Sequence, residues 1–448
     1  MNNIFSEAWN SHLNSYVDVE TWLLGGEGSW LQSLRQQALR NFVSLGFPNA
    51  KEENWKYTRV HGLANTEFTS IGVPSDPVSV EDYQRYFFTE MPCSRLVFVN
   101  GHFVAEASEI EILPEGAVIG NLANVFKQQE RQLRDVLARY ADYQQQPFTA
   151  LNTAFIADGA YFYLPRKITL TKPIHLLFIT NSQNKAVVTH PRNLIVLEPE
   201  SELNIIEHYI GLNEATYFTN AVTEVVMREG AKIEHIKLQE ESAKSFHIAT
   251  IQVQQGRDTE FLSRNLALGA QLARNDINSV LVGEGAKCTL EGLYVLEGNR
   301  HVDNHTRVDH KYPHTSSRER YKGILGDKSR AVFNGKVMVY PGAQKVDAQQ
   351  ANRNLLLSEG AEVNTKPELE IYADDVKCAH GATVGQLDNN HIFYLRSRGL
   401  DEDAARQLLI YAFAEEMVKD IDPIPVRTHI ERRLNTQFFR GHHQEIVL

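Results

Sequence analysis

Leu31, Leu34, Ala38, Phe42 and Leu45 recur at steps of three and four residues before Gly46 and Pro48. That spacing puts them on one face of a helix, and the glycine and proline stop it. Trp30 joins the same face. Residues 46–58, GFPNAKEENWKYT, mix turn formers with charged and aromatic residues and read as a loop plus a short helix. Residues 94–120 read as short strands and turns, and Leu122, Phe126, Leu133, Leu137 and Tyr140 mark a second amphipathic helix.

From about Thr149 to Arg398 the texture changes, as short runs of Val, Ile, Leu and Thr alternate with turn residues and helical periodicity disappears. This is a β-rich core. His247, Ala249, Ile251 and Val253 share one strand face, as do Cys288, Leu290, Gly292, Tyr294 and Leu296, because strand side chains alternate with period two. Beyond Arg398 a helix stripe returns, carried by Leu400, Ala405, Leu408, Leu409, Ala412, Phe413 and Met417, with Asp401, Glu402 and Asp403 in its first turn. Asp422-Pro423-Ile424-Pro425 breaks it, and Val426, Ile430, Leu434 and Phe438 begin a second stripe. These two helices are expected to cap the open end of the core, and on a sharper reading they also dock a partner.

Eight of the 27 glycines are followed by alanine, at Gly116, Gly159, Gly230, Gly269, Gly285, Gly342, Gly360 and Gly381. A turn that needs a small or positive-φ residue therefore recurs. The steps from Gly342 to Gly360 and from Gly360 to Gly381 are each of a length that fits one coil of a parallel β-solenoid. A sandwich of meandering strands would be richer in hairpin dipeptides than Asn100-Gly101, Asp158-Gly159 and Asn334-Gly335, so the solenoid is favoured.

Composition narrows the classes. At 448 residues the chain is about three times the ~150-residue prior for a domain, so it holds several domains or one elongated repeat. A hydrophobic share of 42% against 23% charged supports a sizeable core. The net charge of −11 opposes a general nucleic-acid or anionic-membrane binder. Neither a secretory signal core nor a spanning apolar run is visible, so a cytoplasmic protein is expected. Cys93, Cys288 and Cys378 lie far apart, which suits a reducing compartment and falls short of the four thiolates of a common iron–sulfur site. Any cluster chemistry would have to be shared between chains.

No Walker A loop is present, since Gly326-Asp327-Lys328-Ser329 lacks the glycine before its lysine, and no Gly-x-Ser-x-Gly or His-Glu-x-x-His motif occurs. Residues 300–336 hold nine Lys or Arg against four Asp or Glu, with His301, His305, His310 and His314 crowded among them. In a strand, His301, Asp303 and His305 share a face and offer a trial metal site. A polar face covered by solvent or by a partner fits the spacing better, because no third chelating position is evident. Asp374-Asp375-Val376-Lys377-Cys378-Ala379-His380-Gly381 is the most specific local feature. If it is extended, Cys378 and His380 project from one face and can approach the same ligand or sulfur atom, with His380 able to ligate iron or lower the thiol's pKa. A buried structural Cys-His pair is the competing reading. Cys93 and Cys288 have no neighbouring histidine and read as packed or surface thiols.

GFPNAKEENWKYT, HVDNHTRVDHKYPHTSSRERYKGIL, the block from Phe333 to Leu400 with DDVKCAHGATVG, and FYLRSRGL together resemble the SufB/SufD family of iron–sulfur cluster assembly proteins, on its SufD side. The resemblance implies a mainly β fold: a right-handed parallel β-helix over 93–398 with a helical insertion near 122–145, flanked by helical regions at 1–92 and 399–448. It implies a non-catalytic scaffold that pairs with a SufB-like subunit through the β-helices and docks a SufC-like ABC-type ATPase on its C-terminal helices. On that view His380 is a transient iron or sulfur-site ligand at the interface, with Cys378 beside it, and Leu408, Leu409 and Phe413 face the ATPase. No cofactor would be tightly bound by the isolated chain, and a nascent cluster would be shared with the SufB-like subunit. A homodimer could form in the partner's absence. Two alternatives come from other classes. One is a carbohydrate-active β-helix enzyme using Asp303 with Asp309, or Asp374 with Asp375. The other is a self-associating structural solenoid.

Overall fold

A computed structural model describes residues 9–438 other than 11–12, 14–15, 17–19, 21–22, 27, 71–77 and 183–184. The predicted terminal regions therefore extend past the described residues at 1–8 and 439–448, and the side chain of Phe438 lies outside them too.

Runs of β-branched and apolar residues fold into seventeen principal strands. In chain order they are β1 (Ser94–Val99), β2 (Ala160–Leu164), β3 (Ile174–Thr180), β4 (Arg192–Leu197), β5 (Glu202–Gly211) and β6 (Tyr217–Met227). There follow β7 (Lys232–Glu240), β8 (Phe246–Gln255), β9 (Glu260–Ala267), β10 (Leu272–Leu281), β11 (Lys287–Leu296) and β12 (His301–His310). The last are β13 (Ser316–Leu325), β14 (Arg330–Val339), β15 (Asp347–Leu356), β16 (Glu362–Ile371) and β17 (Lys377–Gly385). Odd-numbered strands form one sheet and even-numbered strands the other, each pairing in parallel with the strand two ahead. The chain thus winds as a parallel β-solenoid of about eight turns across residues 161–385.

The coil is longer than the glycine spacing suggested. Phe246 lies beside Leu272 and Arg330 beside Glu362, one full coil further along the chain in each case. Gly342 and Gly360 sit in successive turns on either side of β15, so their separation measures about half a coil. The true repeat is a left-handed residue two positions before each odd strand from β5 to β15: Glu200, Gly230, Asp258, Gly285, His314 and Lys345. Only two of these are glycine, so counting glycines read the repeat in part.

The two sheets bury their facing sides against each other. Ala249, Ile251 and Val253 of β8 and Cys288, Leu290, Tyr294 and Leu296 of β11 all enter one continuous core, as the period-two alternation predicts. Two glycines are required there. A Cβ at Gly292 would collide with the ring of Tyr321 in the next coil, and one at Gly323 with the ring of Tyr294 in the previous coil, so each glycine makes room for a neighbouring tyrosine.

Helices cover the outer faces. α1 (Trp30–Leu45) buries Leu31, Arg35, Ala38 and Phe42, and Ser29 caps it by accepting from the amide of Gln32. α2 (Leu122–Arg134) and α3 (Pro147–Ala154) follow, and Phe42, Trp55 and Phe148 pack with Phe218, Phe246 and Leu272 on the outer face of the even sheet. The strands end at Gly385, and residues expected to continue the β region to Arg398 instead form α4 (Asn389–Ser397), capped by Asp388. α5 (Glu402–Glu415) begins where its acidic first turn predicted, with Asp401 accepting from Ala404 N, and α6 (Ile424–Phe438) follows the proline break.

α5 and α6 do not cap the solenoid's end. Ile410, Ala414, Val418, Val426, Ile430 and Leu434 lie along the outer face of the odd sheet, against Ile206, Ile236, Leu238, Leu266, Leu293 and Ile324. That face is apolar and needs cover, since each buried Leu or Ile is worth about 2 kcal/mol. Among the described residues, no further strand pairs with the last strands of the solenoid, and its end is left open. No helix among the described residues is long and apolar enough to cross a membrane.

Candidate functional site

The open end is formed by β16 and β17, the last strands of their sheets. Lys377 donates its amide to Val346 O at 2.8 Å, so the alternation of a parallel ladder turns the backbone groups of Cys378, His380, Ala382 and Val384 to the outer edge. By the same alternation, Glu362 bonds inward to Ser329 O and residue 367 faces outward, and residue 367 is proline. The edge of β16 is therefore blunted by a residue without an amide donor, while that of β17 is not. No described residue pairs with the outer edge of β17.

Cys378 and His380 lie on one face of β17, as their spacing predicts, beside Ala348 and Gln350 of β15. They differ in environment. Cys378 is half-buried against Val337, Val339, Ala343, Val346 and Ala348, whereas His380 is exposed. Burial pushes the Cys378 thiol up from its ordinary value, and the neighbouring Asp347 carboxylate adds to this against a hydrogen bond with the Ala348 backbone. The resting group is a thiol rather than an activated thiolate. Cys288 is sealed in the core, where burial pushes it up to about 12, and Cys93 is likewise raised by burial.

Beneath His380 runs a polar column. Gln350 is its register neighbour, and Glu319 is the register neighbour of Gln350. Glu319 is buried and accepts from Thr306 Oγ1 at 2.5 Å and from Gln350 Nε2 at 3.3 Å. Burial pushes its carboxyl up to about 7, more than those two hydrogen bonds pull it down. Further back in the interior, Lys237 Nζ lies 2.7 Å from His247 Nε2, and Glu207 Oε2 lies 3.0 Å from His235 Nε2. Sequence reasoning placed His247 on a strand face but did not single out Glu207, His235, Lys237 or Glu319. The only signal was polar residues at inward-facing positions of strands.

The trial metal set His301, Asp303 and His305 is placed on one face, but a cation of the protein already occupies its centre. Arg274 donates to Asp303 Oδ2 at 2.6 Å, Thr58 donates to the same oxygen at 2.6 Å, and His305 lies 3.0 Å from Oδ1. Burial would raise the Asp303 carboxyl, but Arg274 and His305 hold it well below the usual carboxylate range. The cover comes from residues 54–58. Trp55 stacks over the Arg274 guanidinium at 3.8 Å, and Asn54 O accepts from it at 2.7 Å. Asp309 is gripped by Arg307 at 2.8 Å and lies six positions from Asp303 along the strand, about 20 Å away. Neither carboxylate pair of the carbohydrate alternative gains support, because Asp374 and Asp375 stand exposed at a turn where Asp375 pairs with Lys345.

On the C-terminal helices, Leu408 and Leu409 are half-buried. Phe413 packs toward the solenoid, where Lys322 Nζ sits 4.3 Å from its ring and 3.0 Å from its carbonyl. Phe393 and Tyr394 of α4, which open the FYLRSRGL motif but were given no role from sequence, are 73% and 57% exposed, and Arg398 covers one face of the tyrosine ring. Large exposed aromatic side chains are enriched at interaction surfaces.

Known proteins share this arrangement of sequence. Residues 7–176 match the model of the SufBD protein N-terminal region, and residues 178–413 match that of the SufBD core domain of the SUF system for FeS cluster assembly. An iron–sulfur cluster assembly SufBD family protein of Synechocystis is 37% identical over 410 residues, covering 90% of this chain and 89% of its own. The iron–sulfur cluster assembly protein SufD of Escherichia coli is 35% identical over 433 residues, covering 96% and 98%. The protein of that name in Bacillus subtilis is 25% identical over 415 residues, covering 88% and 91%.

Proposed function

The chain belongs to the SufBD family of iron–sulfur cluster assembly proteins, and on that premise we propose that it is a SufD-like, non-catalytic scaffold subunit of a cytoplasmic SUF complex. It pairs with a SufB-like subunit through the open edge of β17. There His380 serves as a ligand to the iron or sulfur of a nascent cluster, with Cys378 as its thiol neighbour. The partner supplies the remaining thiolates, which this chain's three dispersed cysteines cannot. A SufC-like ABC-type ATPase docks on the C-terminal helices, through Leu408 and Leu409 together with the exposed Phe393 and Tyr394. Phe413 anchors that surface to the solenoid through Lys322.

The observation that carries this reading is the unpaired β17 edge with an exposed histidine on it. A solenoid with a free, proline-less edge strand presents a row of backbone donors and acceptors that another strand can complete. The test mixes the purified chain with SufB-like and SufC-like proteins and measures the stoichiometry of what co-purifies. A ternary complex is expected, and a homomer that excludes the SufB-like chain would contradict the proposal.

A further inference from the structure

A second cluster of ligating groups lies far from β17, where α6 crosses the start of the solenoid. Glu240, at the end of β7, has its Oε2 3.0 Å from His208 Nε2 of β5 and 2.7 Å from His429 Nε2 of α6. One ligand atom from each of the three residues falls within 4.8 Å of the others, and no other such triad occurs among the described residues. We propose that His208, Glu240 and His429 form a binding site for a divalent first-row transition metal of the zinc or ferrous class, which fastens α6 to the solenoid.

The donor set suits that class. Two imidazoles and one carboxylate are a common three-ligand set for zinc and leave a fourth position open, and imidazole also suits iron. Arg433 Nε sits 3.3 Å from the other oxygen of Glu240, Oε1, while Oε2 faces the two imidazoles. The outer shell is also built. A metal on His208 Nε2 requires the ring proton on Nδ1, and Nδ1 lies 3.3 Å from Nε2 of the fully buried His175. A ligating histidine normally donates its second ring proton to an outer-shell acceptor, and here the His175 ring nitrogen is placed to accept it. Phe88 stacks on His208 and sets its edge against His429, fixing both rings and excluding solvent from the inner side. Entry is from outside, since the His429 side chain is 29% exposed while those of His208 and Glu240 are 0% and 6%. Binding exchanges the two Nε2–H donors for metal bonds. A proton shifts to the other ring nitrogen where that imidazole is neutral and passes to solvent where it is charged.

The test uses the full chain, stripped with chelator and titrated with Co2+ or Zn2+ alone. Four-coordinate Co2+ absorption and about one zinc retained per chain after desalting are expected. His429→Ala and Glu240→Gln should each weaken retention at least as much as the 10–100-fold typical for loss of an outer-shell partner. Arg433→Ala, which leaves all three ligands in place, should retain the metal. Circular dichroism confirms that the variants fold, and Glu240→Gln reads the site from the solenoid side should the helix variant fold poorly. A wild-type chain that holds no metal, or one that holds it as tightly as both ligand variants, overturns the proposal.

Discussion

His380 stands beside Gln350 across the ladder of β15 and β17, and no described residue stands on its other side. Replacing it with alanine removes one ligand of the proposed shared site while leaving the backbone edge intact. Cluster assembly by the full complex should fall by roughly tenfold or more, with co-purification of the partners unchanged. Unchanged assembly would remove His380 from the site.

Glu319 provides a pH test of the column beneath. Its carboxyl is pushed up to about 7 in the fold, against an ordinary value near 4.5. The unfolded chain therefore loses this proton first, and stability falls as pH rises from about 4.5 to about 7 and then levels. Glu319→Gln keeps the acceptor for Thr306 without the charge. It should match the wild type at pH 5 and exceed it by about 2–3 kcal/mol at pH 8, read from urea midpoints. An equal gain at both pH values would assign the effect to packing instead.

Arg274 is expected to matter for stability. Removing it with Arg274→Ala leaves Asp303 buried without its main counter-charge and strips the stacking partner from Trp55, for a loss of about 3–5 kcal/mol. Because the Asp303 carboxyl is held below its ordinary value, the stability it contributes is present above its unfolded value near 4 and fades as pH falls below it. The difference between Arg274→Ala and wild type should therefore shrink in acid, which thermal unfolding at pH 3 and pH 7 measures.

Phe393 and Tyr394 test the ATPase surface. Their exposure means that the double change to serine should alter stability by no more than about 0.5 kcal/mol. Binding of the SufC-like ATPase should nevertheless weaken, as seen by pull-down. Full retention would place the dock elsewhere.

Local signals in the sequence carried the fold further than the site. The alternation of β8 and β11 gave the inward faces correctly, because burial on one side of a strand leaves a period of two in the residue types. The coil length was not legible, since four of the six left-handed turn positions hold Glu200, Asp258, His314 and Lys345 and only two hold glycine. Apolar stripes announced α5 and α6 but not the surface they cover, because a stripe shows that a face is buried and not against what. Cys378 and His380 were legible as a pair from spacing alone. The docking of Trp55 and Thr58 on Arg274 and Asp303 joins parts of the chain far apart in sequence, and only the fold brings them together. His208, Glu240 and His429 were hidden for the same reason.

The central claim is that the free edge of β17 receives a SufB-like chain, and Ala382→Pro addresses it directly. Ala382 directs its amide outward, so proline there should spare the bonds to β15 and delete one donor from the free edge. The measurement is co-purification of the wild-type and Ala382→Pro chains with the SufB-like partner, with folding checked by circular dichroism. Stoichiometric pairing by the wild type and its loss in the folded variant is the predicted result. Undiminished pairing by Ala382→Pro would contradict the account.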